Sequence, residues 1–426
     1  MNDLKILLVC PNQATEVENF WQKTYDGFLM TLDLAREHNA DLIVFPESTY
    51  PIQDETEFET LFDIFPIPFI MGVCVARNHS EWFYYYNPNA APHETKSKLY
   101  CKHCSAGELA FELENYPQQQ QAFFSPILLK GYKIQVNICQ DIYFPLVTER
   151  MERNGMDLLI NLTGSNVNLS KWQNVVRGRS LETGKMVLCT MGYSSERHGT
   201  ATIFGFQNGE KLLNDGAYEA TDDDKYQFEF FNIHNPQIDT TFRNNGSKLE
   251  SDKYNDFYIG FNANEPILGF DLFLREQKLF CRDGTKIICL SNFEMWQGDS
   301  QNKNVKILSF AYQHLFDRTK LQKSALWKQE EAHYCVVYYS TETVNIDETL
   351  ALMKLRAIEN RITAICYAPN CKVVIKTNKY KNIQFFESEE GGIVGIDLRQ
   401  MAGLPSVFGK KMGIPSQLFH KYLNLI

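Results

Sequence analysis

The segment Gly131-Tyr-Lys-Ile-Gln-Val-Asn-Ile-Cys139-Gln-Asp-Ile-Tyr-Phe-Pro145 predicts a strand, a tight turn and the start of a helix. The strand is expected over Tyr132 to Ile138, and Leu146 to Arg153 continues at helical spacing. Cys139 therefore stands just past the C-terminal end of a strand, where α/β folds collect ligands and reacting groups. At such a turn the backbone N–H of Gln140 is available at a helix N-terminus to stabilise negative charge.

The first 200 residues alternate short apolar runs with longer segments at helical spacing, which is typical of an α/β protein with a layered sheet. The predicted helices cover about 17–32, 146–153 and 170–183, and the predicted strands cover 5–10, 40–45, 72–76, 82–86, 132–138, 158–162 and 186–191. Glu47 follows one of these strands after Phe45 and Pro46. It is therefore a second candidate group at a strand end.

Cleavage of an amide or nitrile needs a nucleophile, a base, and positive or N–H character where the oxyanion develops. Cysteine, glutamate and lysine satisfy these three needs. A free thiol with a pKa of about 8.5 is only a few per cent thiolate at neutral pH, so a neighbouring carboxylate or cation raises the reactive fraction. A cysteine at a strand end is, taken alone, more often a buried hydrophobic residue, and a glutamate after Phe-Pro can simply cap a turn. The order of several motifs is what favours catalysis.

Five motifs in a fixed order resemble the nitrilase superfamily of carbon-nitrogen hydrolases. They are Phe45 to Glu47, Tyr100 to Glu108, Asn137 to Pro145, Asn154 to Asn161 and Arg179 to Gly184. The resemblance implies an α-β-β-α sandwich, with Cys139 as the nucleophile of a thioester mechanism, Glu47 as general base and Lys102 as oxyanion stabiliser. It also implies that Glu108 is a second, supporting glutamate. The N–H of Gln140 would share the oxyanion with Lys102.

The lysine motif departs from the family pattern. The family places its lysine in a Tyr-x-Lys-x-His-Leu setting, whereas Lys102 is followed directly by His103 and Cys104. Lys98 and Lys96 therefore remain alternatives for the oxyanion role.

Cys101 and Cys104 also resemble half of a zinc site, with Cys366 and Cys371 as possible partners. Zinc sites normally need a second close pair, and the five-residue spacing of the downstream cysteines fits poorly. No metal or other cofactor is therefore expected.

The chain has 426 residues, more than the roughly 250 to 300 at which one hydrophobic core stops growing, so two structural units are expected. The sequence turns polar between His234 and Tyr254, which predicts the boundary. The expected domains are residues 1–234, a carbon-nitrogen hydrolase domain, and 255–426, a second α/β unit.

The second unit echoes motifs of the first. Residues 284–294 resemble 131–141, which puts Asn292 at the place of the candidate nucleophile, and residues 356–366 resemble 179–189. We interpret this as a partial, degenerate duplication that is not catalytic, with chance similarity of amphipathic segments as the alternative.

Composition excludes several classes of protein. The net charge of -10 argues against nucleic acid as the main partner, because phosphate binding needs clustered Lys and Arg. No stretch reaches the roughly 18 apolar residues of a membrane span. The apolar run Ile6 to Cys10 is short and is followed at once by Pro11, so we do not expect it to act as a signal peptide. Eleven cysteines, an odd number, fit free thiols in the cytoplasm.

The expected substrate is a small-molecule amide, with a nitrile as the alternative, and the resemblance favours a homo-oligomer. An N-acyltransferase of the same fold and a non-catalytic binding or regulatory protein remain alternatives. Specificity in this fold depends on loops such as 48–66 and 104–126, from which the substrate is not predicted.

Overall fold

The computed structural model divides the chain into two compact units, Met1–Phe242 and Arg243–Leu425. The division falls inside the polar stretch between His234 and Tyr254. The structure describes residues 3–10, 12–13, 20–52, 65–75, 80–102, 124–164, 169–194, 202–219, 226–239, 242, 247–248, 257–261, 272–275, 278–283, 286–290, 298–299, 305–321, 333–360, 362–377, 383–388 and 392–396.

The described strands of the first unit are β1 (Lys5–Cys10), β2 (Asn12–Gln13), β3 (Leu42–Val44), β4 (Tyr50–Ile52), β5 (Phe69–Val75), β6 (Ser80–Tyr86), β7 (Ser97–Cys101), β8 (Ile127–Leu129), β9 (Tyr132–Ile138), β10 (Leu158–Thr163), β11 (Met186–Met191), β12 (Tyr193–Ser194), β13 (Thr202–Gln207), β14 (Glu210–Leu213), β15 (Gly216–Glu219), β16 (Gln227–Asn232) and β17 (Gln237–Asp239). Its described helices are α1 (Phe20–Glu37), α2 (Pro145–Arg153) and α3 (Leu169–Thr183).

Strands β2 and β12 pair with each other, and the other strands form two large sheets. The first has the order β15, β16, β1, β3, β5, β6, β7, with β4 added beside β5, and the second has the order β17, β14, β13, β11, β10, β9, β8. In the first sheet β1, β3 and β5 are parallel. Because β6 is antiparallel to both β5 and β7, the C-terminal end of β7 lies at the same edge as those of β3 and β5. In the second sheet β9, β10 and β11 are parallel.

The two sheets pack against each other and helices cover their outer faces. Strand β1 contacts β11 and β13 of the other sheet. Helix α1 buries Phe28, Leu32 and Ala35, which recur at helical spacing, and the Phe28 ring lies 5.3 Å from the rings of Phe45 and Phe65. Helix α3 packs on β11 and β13. The first unit is therefore an α-β-β-α sandwich, as predicted.

The described strands of the second unit are β18 (Ser247–Lys248), β19 (Phe257–Phe261), β20 (Leu272–Arg275), β21 (Lys278–Asp283), β22 (Lys286–Leu290), β23 (Gly298–Asp299), β24 (Val305–Ala311), β25 (His333–Tyr339), β26 (Thr363–Ala368), β27 (Cys371–Thr377), β28 (Ile383–Ser388) and β29 (Gly392–Ile396), with helix α4 (Ile346–Asn360). One sheet has the order β18, β28, β27, β26, β25, β24, β23, and the other β22, β21, β20, β19, β29.

No helix among the described residues of either unit is long and apolar enough to cross a membrane.

The seven-stranded sheet of the second unit repeats the second sheet of the first unit. Strands β24, β25 and β26 are parallel, as β9, β10 and β11 are, and each central set has antiparallel neighbours on both sides. Helix α4 joins β25 to β26, as α3 joins β10 to β11. A short 3-10 helix follows β9 at Cys139–Tyr143 and follows β24 at Tyr312–Leu315.

A buried arginine clamps each of these 3-10 helices. In the first unit Arg179 Nε donates to the Ile142 carbonyl at 2.8 Å, and Arg179 pairs with Glu182. The second unit has the same arrangement, in which Arg356 Nε donates to the Leu315 carbonyl at 3.1 Å and Arg356 pairs with Glu359.

Ile142 and Leu315 are each the fourth residue of their 3-10 helix, so Tyr312 takes the position of the first residue, Cys139.

The predicted alignment of residues 284–294 with 131–141 is therefore wrong. Strand β22 lies in the five-stranded sheet, where its neighbour β21 is antiparallel. Strand β9 lies in a seven-stranded sheet, between the parallel strand β10 and the antiparallel strand β8. Asn292 lies outside the described residues. Tyr312, which has no thiol, begins the 3-10 helix of the second unit that corresponds to the one begun by Cys139.

We predict that the arginine clamps support the fold. Arg356→Met should lower the free energy of unfolding by about 3–5 kcal/mol, because Glu359 would stay buried without its cation. The double variant Arg356→Met, Glu359→Met should recover most of this loss. Arg153→Met is the matched control, since its pair with Glu149 is exposed and worth less than about 1 kcal/mol. Thermal unfolding measures all three, and equal losses for Arg356→Met and Arg153→Met would contradict the role of the clamp.

Candidate active site

Cys139 begins the 3-10 helix directly after β9, and its backbone has φ +46°. A residue with a Cβ is disfavoured in this left-handed region by roughly 1–3 kcal/mol, so the surrounding structure has to hold it there. Asn161 Nδ2 donates to the Cys139 carbonyl at 3.2 Å. The Asp141 carboxylate accepts a hydrogen bond from Tyr100 at 2.8 Å, and the arginine clamp of α3 holds the end of the same turn. The turn is therefore fixed from several sides.

Asn161 is the centre of a buried polar network beneath the turn. It lies on β10, next to Asn137 on β9, and its Nδ2 also donates to Asn137 Oδ1 at 2.8 Å. Its Oδ1 accepts the indole N–H of Trp172 at 3.0 Å. Buried polar groups of this kind rigidify a site when they are hydrogen-bonded. The network links the Cys139 backbone to helix α3.

Glu47 lies just past β3, at the edge of the first sheet where parallel strands end. The main chain at Pro46 and Glu47 passes very close to β5 at Gly72, where an added Cβ would overlap the Pro46 carbonyl and come within 2.6 Å of Glu47 Cα. Glu47 is 6% exposed, and its Oε2 accepts the Gly164 N–H at 2.7 Å. The glycine at position 72 thus allows the carboxylate to sit at this edge.

Lys102 directly follows β7, at the same edge as Glu47. Its backbone N–H donates to the Glu81 carbonyl at 2.9 Å, and its ammonium forms an ion pair with Glu47 Oε1. The Lys102 side chain is almost completely buried. Burial by itself lowers the pKa of Lys102, but the charge of Glu47 and the hydrogen bond to it raise this pKa well above the usual value. Lys102 is therefore a permanent cation in the site.

The two alternative lysines lie elsewhere. Lys98 is on β7, four residues before Lys102, which is about 13 Å along a strand. Its ammonium donates to the Ser125 carbonyl, and burial lowers its pKa to about 7. Lys96 is exposed. Among these three lysines, the structure brings Lys102 to Glu47.

The thiol of Cys139 lies beside both charged groups. Burial raises its pKa to about 12, the Glu47 carboxylate contributes to this rise, and Lys102, the Thr163 hydroxyl and the Gly164 N–H oppose it. The thiol is therefore neutral in the resting site. The Glu47 carboxylate was expected to increase the fraction of resting thiolate. It instead lowers that fraction, because a negative charge next to a thiol disfavours a second negative charge.

Gln140 and Glu108 complete the predicted set. Gln140 is the buried second residue of the 3-10 helix, next to Cys139. Glu108, His103 and Cys104 lie outside the described residues. In the described part of the chain, no three His, Cys, Asp or Glu side chains are grouped as metal ligands.

The sequence motifs assigned no role to several residues that hold or contact Cys139 and its turn, and the group comprises Asn161, Thr163, Gly164, Asp141 and Tyr100. Asn161 and Thr163 share one detectable signal, which is a polar residue inside an apolar strand, Leu158–Thr163. A polar side chain buried within a strand needs a partner, so such positions predict a network.

Comparison with known proteins agrees with the sequence motifs. The sequence model of the carbon-nitrogen hydrolase family matches residues 77–203, a range that contains Lys102 and Cys139. No curated protein sequence matches the chain.

Several solved structures are similar to part of the chain. A carbon-nitrogen hydrolase from Helicobacter pylori G27 is 13% identical, with a TM-score of 0.40, over 55% of this chain and 90% of that protein. Nit3 of Saccharomyces cerevisiae, of branch 10 of the nitrilase superfamily, is 13% identical with a TM-score of 0.38, over 54% and 90%. The amidase from Nesterenkonia sp. AN1 is 12% identical with a TM-score of 0.39, over 53% and 92%. Residues 77–203 match the carbon-nitrogen hydrolase family, and the predicted resemblance to the nitrilase superfamily is confirmed.

Proposed function

We propose that the first unit hydrolyses a carbon-nitrogen bond in a small-molecule amide through a thioester on Cys139. The observation that carries the proposal is the buried ion pair of Glu47 and Lys102 beside the thiol. A base and a cation held in a water-poor site act more strongly on a reacting group than they would in water.

In the first step the Cys139 sulfur attacks the amide carbon while its proton moves to Glu47. Because the thiol is neutral at rest, a base has to remove the proton as the new bond forms. The Lys102 ammonium and the Gln140 N–H stabilise the oxyanion. Their charges and dipoles are in place before the reaction, so little reorganisation is needed.

In the second step Glu47 donates the proton to the leaving nitrogen, and ammonia or an amine departs to leave a thioester on Cys139. Water then attacks the thioester carbon, and Glu47 takes the proton from the water. The C–S bond then breaks, Glu47 returns the proton to the Cys139 sulfur, and the carboxylic acid leaves. We assign Glu108 the role of a supporting glutamate, as the family resemblance implies.

We also propose that the protein works in the cytoplasm. Eight cysteines are free thiols, as expected for a reducing compartment, and they are Cys10, Cys74, Cys101, Cys139, Cys189, Cys335, Cys366 and Cys371. The net charge of -10 favours small-molecule partners over nucleic acid. Assembly into homo-oligomers, and the domain limits 1–234 and 255–426, stay predictions.

Ammonia release from a panel of small amides and nitriles tests the proposal. The wild-type protein should release ammonia from at least one amide, and Cys139→Ala should abolish release, because alanine cannot form a thioester. Cys74→Ala is the matched control and should keep full activity. Added amines should not divert the product. A protein in which Cys139→Ala retains activity would contradict the nucleophile, and amine-dependent N-acyl product would identify a transferase instead.

The lysine assignment gives a second prediction. Lys102→Ala should lower kcat by about 10²-fold or more, the scale of losing one oxyanion donor. Lys98→Ala should change kcat little, since Lys98 donates to the Ser125 carbonyl. Steady-state kinetics on the best amide compares the two variants. A larger loss in Lys98→Ala would move the role to that residue.

The electrostatics of the thiol give a third prediction. Alkylation of Cys139 follows its thiolate, so the rate rises with pH toward the thiol pKa of about 12. Glu47→Gln removes a neighbouring negative charge and should move this profile to lower pH, while turnover is lost. Lys102→Met removes a positive charge and should move the profile to higher pH. Iodoacetamide labelling with mass spectrometry measures both shifts, and two variants with the wild-type profile would show that these charges do not act on the thiol.

A further inference from the structure

Thr163 is the last residue of β10, at the edge where Cys139 leaves β9. The preceding residue, Leu162, is paired with Ile138, which directly precedes Cys139. The Thr163 carbonyl is used on the other side, where it accepts the Gly192 N–H at 3.0 Å. The register of the two parallel strands thus places Thr163 next to the nucleophile.

In the part of the chain that the structure describes, the buried hydroxyl of Thr163 has no oxygen or nitrogen partner. The residue is 0% exposed, and among the described residues no oxygen or nitrogen hydrogen-bonds to its Oγ1. Thr190, on the adjacent strand β11, shows the usual solution for a buried threonine, since it donates to the Val9 carbonyl at 2.6 Å. A buried polar group without a partner destabilises a fold, and valine would fill the same space without that penalty. A threonine at position 163 therefore points to a function.

Because Leu162 is paired with Ile138, Thr163 lies beside Cys139, and its hydroxyl lowers the pKa of the Cys139 thiol. A neutral thiol is a weak hydrogen-bond acceptor, whereas a thiolate is a strong one, because a hydrogen bond to an ionised acceptor is about twice as strong as a neutral one. The Gly164 N–H, which also faces the sulfur, is already bonded to Glu47. The Thr163 hydroxyl is thus a neutral donor next to the sulfur, and among the described residues this hydroxyl has no other acceptor.

We propose that Thr163 is a positioning residue whose hydroxyl orients the Cys139 sulfur and stabilises its thiolate as the proton leaves. This inference rests on the proposed function, in which Cys139 is the nucleophile. The hydroxyl bond strengthens as negative charge develops on sulfur, so it favours the reacting state over the resting state. The other groups that face the Cys139 sulfur are Glu47, which disfavours the thiolate, and Lys102 and the Gly164 N–H, which favour the thiolate.

The test compares Thr163→Val, Thr163→Ser and the matched control Thr190→Val in the full chain. Thr163→Val should move the pH profile of Cys139 alkylation by iodoacetamide to higher pH, by about one pH unit, and should lower kcat about 10-fold with KM little changed. Thr163→Ser, which restores the hydroxyl, should return both readouts toward wild type. Thr190→Val should leave the alkylation profile in place, since its hydroxyl serves the Val9 carbonyl.

A Thr163→Val profile that overlays the wild-type profile would overturn the proposal, as would a Thr163→Ser variant that behaves like valine. Thr163→Ala gives the same comparison if the valine variant does not fold. Alkylation does not require turnover, so a shifted profile in a protein that hydrolyses no amide would uphold the role of Thr163 and refute the proposed function.

Discussion

The ion pair between Glu47 and Lys102 is the constraint on which the rest of the site depends. Two opposite charges are buried at one edge of the first sheet. Removing these charges from water costs more free energy than forming an ion pair at the surface. A buried pair of this kind is a weak source of stability, since well-packed apolar residues often do as well. Its retention at the ends of two parallel strands, facing a cysteine, fits a chemical role.

The structure around the pair is arranged to keep it in place. Gly72 lets the Glu47 main chain approach β5. The Gly164 N–H donates to Glu47 Oε2, and Lys102 pairs with the other carboxylate oxygen. On the other sheet, Asn161 and the arginine clamp hold Cys139 in a conformation that it would rarely adopt in a free chain. Both sheets of the sandwich thus contribute to a site that neither could form alone.

Sequence patterns predicted the strands that are long and apolar. Strands β9 and β11 have the predicted bounds, Tyr132–Ile138 and Met186–Met191. Strand β7 was not predicted, because Lys98 puts a charge at a buried position and breaks the apolar pattern. The choice between Lys98 and Lys102 depends on the end of that strand, so the sequence left it open.

The second unit shows the same limit. Residues 286–290 match the strand of Cys139 in pattern, but a strand sequence does not state which neighbour it pairs with or in which direction. The similarity of residues 356–359 to 179–182 was more reliable, because a buried arginine and glutamate one helical turn apart need a specific partner. The same contact places Tyr312 where the first unit has its thiol.

The central claim is that Cys139 carries the acyl group during turnover. Rapid acid quenching of the wild-type protein with an amide that it hydrolyses, followed by mass spectrometry of the Cys139 peptide, tests it most directly. We expect this peptide to gain the mass of the acyl group and to lose it on treatment with hydroxylamine. Steady turnover under the same conditions with the acyl mass on another residue, or on none, would contradict it.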